Sequence, residues 1–427
     1  MNQHDTIFAL STGSPPAAVA IVRISGPGAD RALESLAGRL PEPRRAIVAS
    51  LQADGQILDE AIVLRFPGPA SATGEDVAEL HLHGGRAVVA AVLDALQAMD
   101  GLRMAQPGEF TRRAFEHGRI DLAEAEGLAD LLAAETKSQH RAALAMAGGA
   151  VSRLVTVWQE RLLGLAARLE AAIDFSDEGE VGESLPPGWR DDLADLIADM
   201  KDVLARPPAE RLRDGVRIVF AGPPNAGKSS LFNRLAGREA AITSAVPGTT
   251  RDLVEAPTSI GGTPFLLIDT AGLHEAGDEI ESIGVARAQA SIDGADLILW
   301  LGPPDSCPDR SRSLLIASKS DQRGSPVDGA DLNVSAVTGE NVDALTALLV
   351  ERTQRLLPAE GEVAVNARHR RLLNAAVQHI SNMDREPDFL VLAEALRLAR
   401  VELDRVTGRA GVEQMLDSLF GRFCIGK

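Results

Sequence analysis

The spacing of hydrophobic positions changes repeatedly along the chain, and each change predicts a different kind of element. Over residues 1–117, AVAIVRIS at 18–25 and AIVLRF at 61–66 are short β-branched runs bounded by Gly and Pro, which predict strands. VAELHLH at 77–83 alternates, with Leu80 and Leu82 on one face and Glu79, His81 and His83 on the other, the period of a half-buried strand. Gly84-Gly85 then opens an apolar helix, AVVAAVLDALQAM. From about 120 to 205 the period becomes helical. Leu154, Trp158, Leu162, Leu165, Leu169 and Ile173 recur at spacings of three and four and predict one buried stripe. Gly148-Gly149 and the acidic, Pro-containing stretch 174–188 interrupt it, and Arg206-Pro207-Pro208 predicts a boundary. At 216 the pattern turns to apolar runs, VRIVFAG, PFLLIDTAG and ADLILWLG, alternating with helical segments, as a parallel sheet requires. After Pro358 the chain returns to helix in RRLLNAAVQHI and LVLAEALRLARVELDRV. Helical blocks on both sides of an α/β segment predict that the blocks pack together with that segment inserted between them.

Composition bounds the class. At 427 residues the chain has room for roughly three domains at about 150 residues each. A hydrophobic share of 45% against 24% charged residues is an ordinary globular balance. No run approaches the roughly 18 apolar residues of a membrane span, and MNQHDTIFALSTGSPP lacks the charge and apolar core of a secretory signal. Cys307 and Cys424 are the only cysteines, too few for a disulfide framework, so a soluble protein of the reducing cytoplasm is expected. The net charge of −18 repels phosphate backbones at long range, which argues against a broad nucleic-acid footprint. Only five of the 43 basic residues are lysine, namely Lys137, Lys201, Lys228, Lys319 and Lys427, and three of them fall in the motifs below. A chain that uses arginine almost everywhere keeps lysine where a compact ammonium is needed.

Gly222-Pro223-Pro224-Asn225-Ala226-Gly227-Lys228-Ser229 fits G-x-x-x-x-G-K-[ST] between a predicted strand and the helix SLFNRLAG. Loop N–H groups and the helix N-terminus would cradle phosphates, Lys228 would bridge β/γ oxygens, and Ser229 would ligate Mg²⁺. Further motifs follow in order. Gly248-Thr249-Thr250-Arg251-Asp252 offers a switch threonine; Asp269-Thr270-Ala271-Gly272 ends a strand; Ser318-Lys319-Ser320-Asp321 stands where GTPases carry Asn-Lys-x-Asp; Ser335-Ala336 follows. Asp321 is the specificity residue, because adenine lacks the donor pair that guanine offers it. Ser318 in place of Asn removes an amide contact to the base region. GTP contacts are therefore expected at Asn225, Ala226, Gly227, Lys228, Ser229 and Ser230, at Gly248, Thr249 and Thr250, at Asp269, Thr270, Ala271 and Gly272, and at Lys319, Asp321, Ser335 and Ala336. Leu273 occupies the place of the glutamine that orients water in Ras-like enzymes and cannot polarise anything. Glu281 in HEAGDEIESIG is the candidate replacement, although by spacing alone it also reads as a solvated carboxylate at a helix start.

Across nearly its whole length the sequence resembles the MnmE (TrmE) family of tRNA-modification GTPases. The matching segments include IVRISGPGA, FPGPASATGEDVAELHLHGG, PGEFTRRAFEHGRIDLAEAEGLADL, AGPPNAGKSSLFNRLAGREAAI, VPGTTRD, IDTAGL and the terminal FCIGK. The resemblance implies a homodimer joined through the N-terminal domain, and a flavoprotein partner, MnmG (GidA), in a heterotetramer. With that partner, a carboxymethylaminomethyl or aminomethyl group is installed at carbon 5 of wobble uridine in tRNA. It also implies a formyl-tetrahydrofolate-type cofactor, Mg²⁺, and K⁺ between paired G domains. By the resemblance Asn225, Ser244, Val246 and Thr249 match the K⁺ site, Ser244, Ala245, Val246 and Pro247 a loop that contacts GTP, Ser229 and Thr250 the Mg²⁺ ligands, and Glu281 the catalytic glutamate beside Lys228 and Asn225. Arg23, Glu79, Arg119 and Lys427 match folate contacts, with Arg119 at a position that often holds Lys; Cys424 matches a family cysteine.

The expected fold is α/β and multidomain: an N-terminal α/β folate-binding and dimerisation domain over 1–117, a discontinuous helical domain over 118–210 and 357–427, and an inserted Ras-like P-loop G domain over 211–356. The expected activity is K⁺-stimulated GTP hydrolysis serving tRNA modification, with tRNA held chiefly through the partner and no membrane involved. The sequence carries no flavin or NAD fingerprint, so redox chemistry is expected from the partner. Two other readings remain: a ribosome-assembly GTPase of the Era or Der kind, which needs an appended basic RNA-binding domain, and a folate-dependent one-carbon transferase with a regulatory G domain. His81 and His83, at H-x-H spacing without a third ligand, read as structural. Arg368-His369-Arg370-Arg371 reads as a solvated helix face or a contact for tRNA phosphates.

Overall fold

The computed structural model describes residues 5–176, 185–237, 254–270, 289–323, 325–359, 361–381, 383, 386, 388–410, 413–421 and 423–426. It divides into two compact units, Met1–Ala129 with Asp404–Lys427, and Asp130–Leu403.

In the first unit β1 (Thr6–Leu10), β2 (Val19–Ser25), β3 (Ile47–Ala53), β4 (Gln56–Phe66), β5 (Val77–His83) and β6 (Leu102–Met104) form one sheet in the order β3-β4-β5-β2-β1-β6. Its strand pairs are antiparallel except β1 with β6. The period-2 pattern decides what each face does. Ala78, Leu80 and Leu82 of β5 and Ala20, Val22 and Ile24 of β2 share a core with Leu33 and Leu36 of α1 (Ala29–Ala37) and Val89, Val92 and Leu96 of α2 (Arg86–Gln97). Burial of each large side chain contributes about 1.5–3 kcal/mol, so a one-residue register slip would forfeit the whole set. The opposite face is thereby left to Arg23, Ser25, Glu79 and His81. α3 (Glu109–Glu116) and α4 (Leu122–Ala133) follow the sheet. Leu122 and Ala125 of α4 are buried with Leu416 and Phe420 of the last helix, Glu413–Phe420, and with Phe423.

In the second unit α5 (Lys137–Ala147) opens with a capping box between Thr136 and Gln139 and stops at Gly148, and α6 (Ala150–Ser176) begins after Gly149. Its buried stripe is Val151, Val155, Trp158, Leu162, Leu165 and Leu169. Leu154 is only half-buried. The expected stripe thus started on the wrong residue: three positions back from Trp158 is Val155, and a further four is Val151, which keeps the line at 3.6 residues per turn. α7 (Trp189–Ala205) packs on α6, with Trp158 Nε1 donating to Asp199 Oδ2 (3.0 Å) and Trp189 Nε1 to the Leu165 carbonyl (2.9 Å). α8 (Glu210–Arg213) leads into the second sheet.

That sheet contains β7 (Val216–Ala221), β8 (Val254–Ile260), β9 (Thr263–Asp269), β10 (Leu297–Trp300), β11 (Ser313–Ala317) and β12 (Leu332–Asn333) in the order β12-β11-β10-β7-β9-β8, parallel except for β8 against β9. Sequence patterning did not anticipate β8. It forms a hairpin with β9 through Gly261-Gly262, and its edge position accommodates Pro257, which has no N–H to give a second neighbour. The first helix of this sheet is α9 (Lys228–Ala236); α10 (Val342–Thr353), α11 (Ala367–Ser381) and α12 (Phe389–Thr407) complete the order. α11 packs on α7, and Arg370 donates from Nη2 and Nη1 to the Leu204 (2.6 Å) and Arg206 (3.0 Å) carbonyls at the α7 C-terminus. Helices from both sides of the α/β segment therefore pair, and that segment is an insertion in a discontinuous helical assembly. The two chain crossings are themselves tied, by Ala209 N–H to the Val365 carbonyl (3.2 Å) and Ala367 N–H to Glu210 Oε1 (2.6 Å).

Candidate functional site

β7 lies between β9 and β10, so the chain runs from β7 to one side and then crosses from β9 to β10 on the other, a reversal of strand order that opens a crevice at the C-terminal end of β7. Gly222 enters that crevice with φ 142°, and a Cβ there would stand 3.0 Å from the Leu301 carbonyl carbon, so the loop turns past the end of β10 only with glycine. Asn225 is exposed and left-handed (φ 60°), and Gly227 (φ 92°) precedes the first turn of α9. Lys228 is only 4% exposed; its Nζ donates to the Gly222 and Pro223 carbonyls at 3.0 Å each. Burial pulls this ammonium below its usual range, and the Asp269 carboxylate acts against that pull. Ser229 and Ser230 are exposed on the first turn, where unpaired helix N–H groups and the macrodipole favour an anion.

Asp269 ends β9 in register with Phe220 and is buried, while Thr270 Oγ1 donates to the Phe220 carbonyl at 2.7 Å. The strand end and the phosphate loop are thus fixed to one another. Beyond β11, buried Ser318 donates from Oγ to the Ala226 carbonyl, and Lys319 Nζ donates to the Asn225 carbonyl at 2.7 Å. Ser335 Oγ donates to Asp321 Oδ1 at 2.6 Å, which fixes the direction of that carboxylate. The Ser335 N–H donates to the Glu340 carbonyl (3.1 Å). Asn225, Ala226, Gly227, Lys228, Ser229, Ser230, Asp269, Thr270, Lys319, Asp321, Ser335 and Ala336 therefore lie along adjoining strand ends of one sheet. Ser244, Ala245, Val246, Pro247, Gly248, Thr249, Thr250, Arg251, Asp252, Ala271, Gly272, Leu273 and Glu281 lie outside the described residues, as does Lys427.

The first unit has a second polar centre, on the sheet face away from α1 and α2. Arg23 donates to Glu79 Oε1 from Nε (3.0 Å) and Nη2 (2.9 Å), and His81 Nε2 lies 3.2 Å from Glu79 Oε2. The Arg23 guanidinium stands 5.8 Å from the Phe110 ring centroid. Arg119 reaches the same neighbourhood through Gly74: a Cβ on Gly74 would stand 3.3 Å from Arg119 Cγ, and the adjacent Thr73 and Glu75 bond Ser25 on β2 (2.6 and 2.8 Å). At the tail, Gly426 approaches so closely that a Cβ would lie 2.1 Å from the Leu10 carbonyl oxygen, and its own carbonyl accepts from Ser11 Oγ at 2.9 Å. Gly426 is thus held beside the start of the β1–β2 connection, with Cys424 exposed.

Sequence reasoning missed the ion-pair network behind this face. Arg113, nearly buried, donates to Glu75 Oε2 (3.0 Å), Asp5 Oδ1 (2.7 Å) and Glu109 Oε1 (3.3 Å), and Arg103 joins Asp5 to Glu109. Burial works to raise the Asp5 and Glu109 carboxyls, but bonds from the two arginines overcome it, and both are held below the usual carboxylate range. The only advance signal was the run GEFTRRAF, which holds Glu109 and Arg113 but does not announce their partners. His83 pairs with Asp59 (2.7 Å) and His81 with Glu79, and among the described residues no histidine, cysteine or carboxylate group has the arrangement of a metal site. In the arginine cluster Arg370 is spent on α7, Arg368 Nη2 lies 2.8 Å from His369 Nε2, and Arg371 alone is exposed, which is a poor phosphate platform.

A lysine-bearing phosphate loop at a switch point, an acidic strand end and a base loop closed by Asp321 define a P-loop guanine-nucleotide-binding protein. Family models match along the chain: "GTP-binding protein TrmE N-terminus" over residues 6–119, ahead of that region, and "MnmE helical domain" over 122–424, a span that contains it. The tRNA modification GTPase MnmE of Erythrobacter litoralis is 55% identical over 99% of this chain and 100% of its own, and that of Rhizorhabdus wittichii 57% over 99% and 97%. Among solved structures, the G domain of the T. maritima FeoB iron transporter is 26% identical, covering 33% of this chain and 99% of that one with a TM-score of 0.26. The chain belongs to the MnmE family of tRNA modification GTPases. Among the described residues no helix is long and apolar enough to cross a membrane.

Proposed function

We propose that the chain is a K⁺-stimulated GTPase of the cytoplasm which, with a flavoprotein of the MnmG (GidA) kind, installs a carboxymethylaminomethyl or aminomethyl group at carbon 5 of wobble uridine in tRNA. The observation that carries the reading is the phosphate loop. Lys228 is braced on two loop carbonyls, Asn225 is exposed at the loop, and two bonds tie the loop to the guanine-reading segment. Lys228 then grips the β/γ oxygens, Asp321 selects guanine, and Asp269 sits where it can hold water on Mg²⁺. The donor set suits the ions: Ser229 with Thr250 for Mg²⁺, and the neutral oxygens of Asn225, Ser244, Val246 and Thr249 for K⁺. K⁺ supplies positive charge where negative charge develops between the β- and γ-phosphates, the part played elsewhere by an arginine finger. Glu281 orients the attacking water in place of the glutamine that Leu273 displaces.

The open sheet face suits a formyl-tetrahydrofolate-type folate. Glu79 accepts two bonds from Arg23 on Oε1 and one contact from His81 on Oε2, and a carboxylate has about four acceptor positions, so Oε2 retains capacity for the donor edge of a pterin. Arg23, Arg119 and Lys427 suit the cofactor's carboxylates. Homodimerisation through the domain over 1–117 is supported by Val48 and Ile62, cross-strand neighbours that are 66% and 44% exposed. In this reading the helical domain spans 118–210 and 357–427, the G domain spans 211–356, and paired G domains meet across K⁺. The test is GTP turnover in K⁺ and in Na⁺ at equal ionic strength. Faster turnover in K⁺ is expected, and equal rates would remove the cation from the mechanism.

A further inference from the structure

We infer that Glu340 is a positioning residue for base recognition: through Ser320 it clamps the segment that carries Asp321 to the loop that opens at Ser335. The inference rests on the reading of Asp321 as the residue that selects guanine.

Ser318 has one hydroxyl proton and gives it to the Ala226 carbonyl of the phosphate loop, whereas the carboxamide of an asparagine could donate twice and accept as well. The side-chain hold between the two base segments is made two residues further on. Ser320 Oγ donates to Glu340 Oε2 at 2.6 Å and Ser320 N–H to the Val334 carbonyl at 3.1 Å, so the residue beside Asp321 is fastened to both ends of the loop over 334–340. Glu340 can act as the anchor because its own main chain is fixed. Its carbonyl accepts from Ser335 N–H (3.1 Å), its N–H donates to Thr338 Oγ1 (3.3 Å), and its neighbours Gly339 (φ 84°) and Asn341 (φ 57°) make the turn with left-handed backbone. Asn341 Nδ2 then closes the base of the loop on the Asn333 carbonyl at 2.8 Å. Gly339 cannot move inward, since a Cβ there would stand 2.7 Å from Nη2 of Arg234 on α9. Asp321 is thus restrained twice, at its own Oδ1 by Ser335 and through its chain neighbour by Glu340. It is otherwise exposed, and such restraint is what orders an exposed carboxylate before a ligand arrives.

Guanine offers a carboxylate two N–H groups, at N1 and at the 2-amino group, and hypoxanthine offers only the first. A loosened Asp321 therefore costs GDP more than inosine diphosphate, whereas a loop that is merely destabilised costs both alike. The experiment measures dissociation of each diphosphate from the full chain by stopped flow, with excess fluorescent GDP as the displacing ligand. The variants are Glu340→Ala, Glu340→Gln, Ser320→Ala and the Ser320→Ala/Glu340→Ala pair. Glu340 is exposed and Ser320 half-buried, so their removal spares the core. Glu340→Ala is expected to release GDP about fivefold faster and inosine diphosphate only about twofold faster, the scale of one hydrogen bond open to water. Ser320→Ala is expected to match it, and the double variant to add nothing, because both substitutions break the same bond. Glu340→Gln keeps an oxygen for the Ser320 hydroxyl and is expected to stay within about twofold of the unaltered chain. Equal acceleration of the two diphosphates, additive effects of the two substitutions, or a glutamine variant as fast as the alanine one would each overturn the inference. An unaltered chain that holds ADP as tightly as GDP would overturn the guanine reading itself.

Discussion

In the second unit the anion site is made mostly of backbone: a glycine turn at Gly222, loop N–H groups, the first turn of α9, and loop carbonyls holding Lys228 and accepting from Ser318 and Lys319. In the first unit the polar face is made chiefly of side chains, with Arg23, Glu79 and His81 in front and Asp5, Glu75, Arg103, Glu109 and Arg113 behind. The backbone site gets its field from fixed dipoles, which do not titrate. The side-chain site gets its order from opposite charges that must stay ionised while partly desolvated. The first is vulnerable to loss of one ammonium, the second to loss of any member of a coupled set and to acid.

The sharpest break on the backbone side is Lys228→Ala. The loop would keep its shape through Gly222 and the Ser318 and Lys319 ties, while its buried ammonium is lost. Turnover at saturating GTP should fall by about 10²–10³, as when a preorganised electrostatic donor is removed. Single-turnover phosphate release measures it. A fall below tenfold would mean that backbone dipoles carry the site without the lysine.

On the side-chain side Arg113→Met should cost stability before it touches chemistry. Three carboxylates, Glu75, Asp5 and Glu109, lose a shared partner, and breaking a buried pair by removing one member costs about 3–5 kcal/mol. Urea unfolding at neutral pH measures the loss. The pH dependence supplies a second check. Asp5 and Glu109 have folded-state values below their unfolded ones, so their contribution is present above the unfolded pKa and disappears as pH falls through the folded one, below about pH 4. In the variant the unpaired carboxyls take up protons at higher pH, so its deficit should shrink on acidification. A deficit independent of pH would show that packing, not charge, is what Arg113 supplies.

Glu79→Ala tests the front of the same face. Arg23 and His81 are both partly exposed and can turn to water, so stability should hardly move. Affinity for a formyl-tetrahydrofolate analogue, measured by calorimetry, should fall about tenfold to a hundredfold, the range for a charged hydrogen bond. Unaltered binding would remove Glu79 from the folate assignment and leave it as a surface ion pair.

The same contrast explains what could be read before any coordinates existed. The phosphate loop, Asp269 and the Ser318–Asp321 segment are contiguous motifs at strand ends, because backbone sites need local residues at fixed spacing. The alternation of 77–83 likewise fixed which face of β5 would be buried. Arg23 and Glu79 stand 56 positions apart, and Arg113 reaches Asp5 across 108; nothing local records such encounters. Alternation put Glu79 on the polar face, but Glu79 and Arg23 became folate candidates only through family resemblance, and Arg113 was not singled out at all. Short strands were lost for a different reason. Thr6–Leu10 is too brief to show a period, and Pro257 masks β8 as a breaker although an edge strand tolerates it.

The smallest expected effect belongs to Ser318, where the backbone site depends on one side chain. In the usual motif an asparagine stands here, with a donor and an acceptor on one arm; serine spends its hydroxyl proton on the Ala226 carbonyl. Ser318→Asn should keep that tie through its NH₂ group and gain an oxygen for the neighbouring base segment, slowing GDP dissociation about threefold, the size of one neutral hydrogen bond. Space limits the gain. Ser318 is buried, and a Cβ on Gly227 would already stand 3.3 Å from its Oγ, so the larger amide must find room by moving the phosphate loop a few tenths of an ångström. Stopped-flow release of a fluorescent GDP decides between these effects. Slower release means that the serine leaves a contact unmade. Faster release means that the loop has closed around the shorter side chain and that the departure from asparagine is compensated by packing.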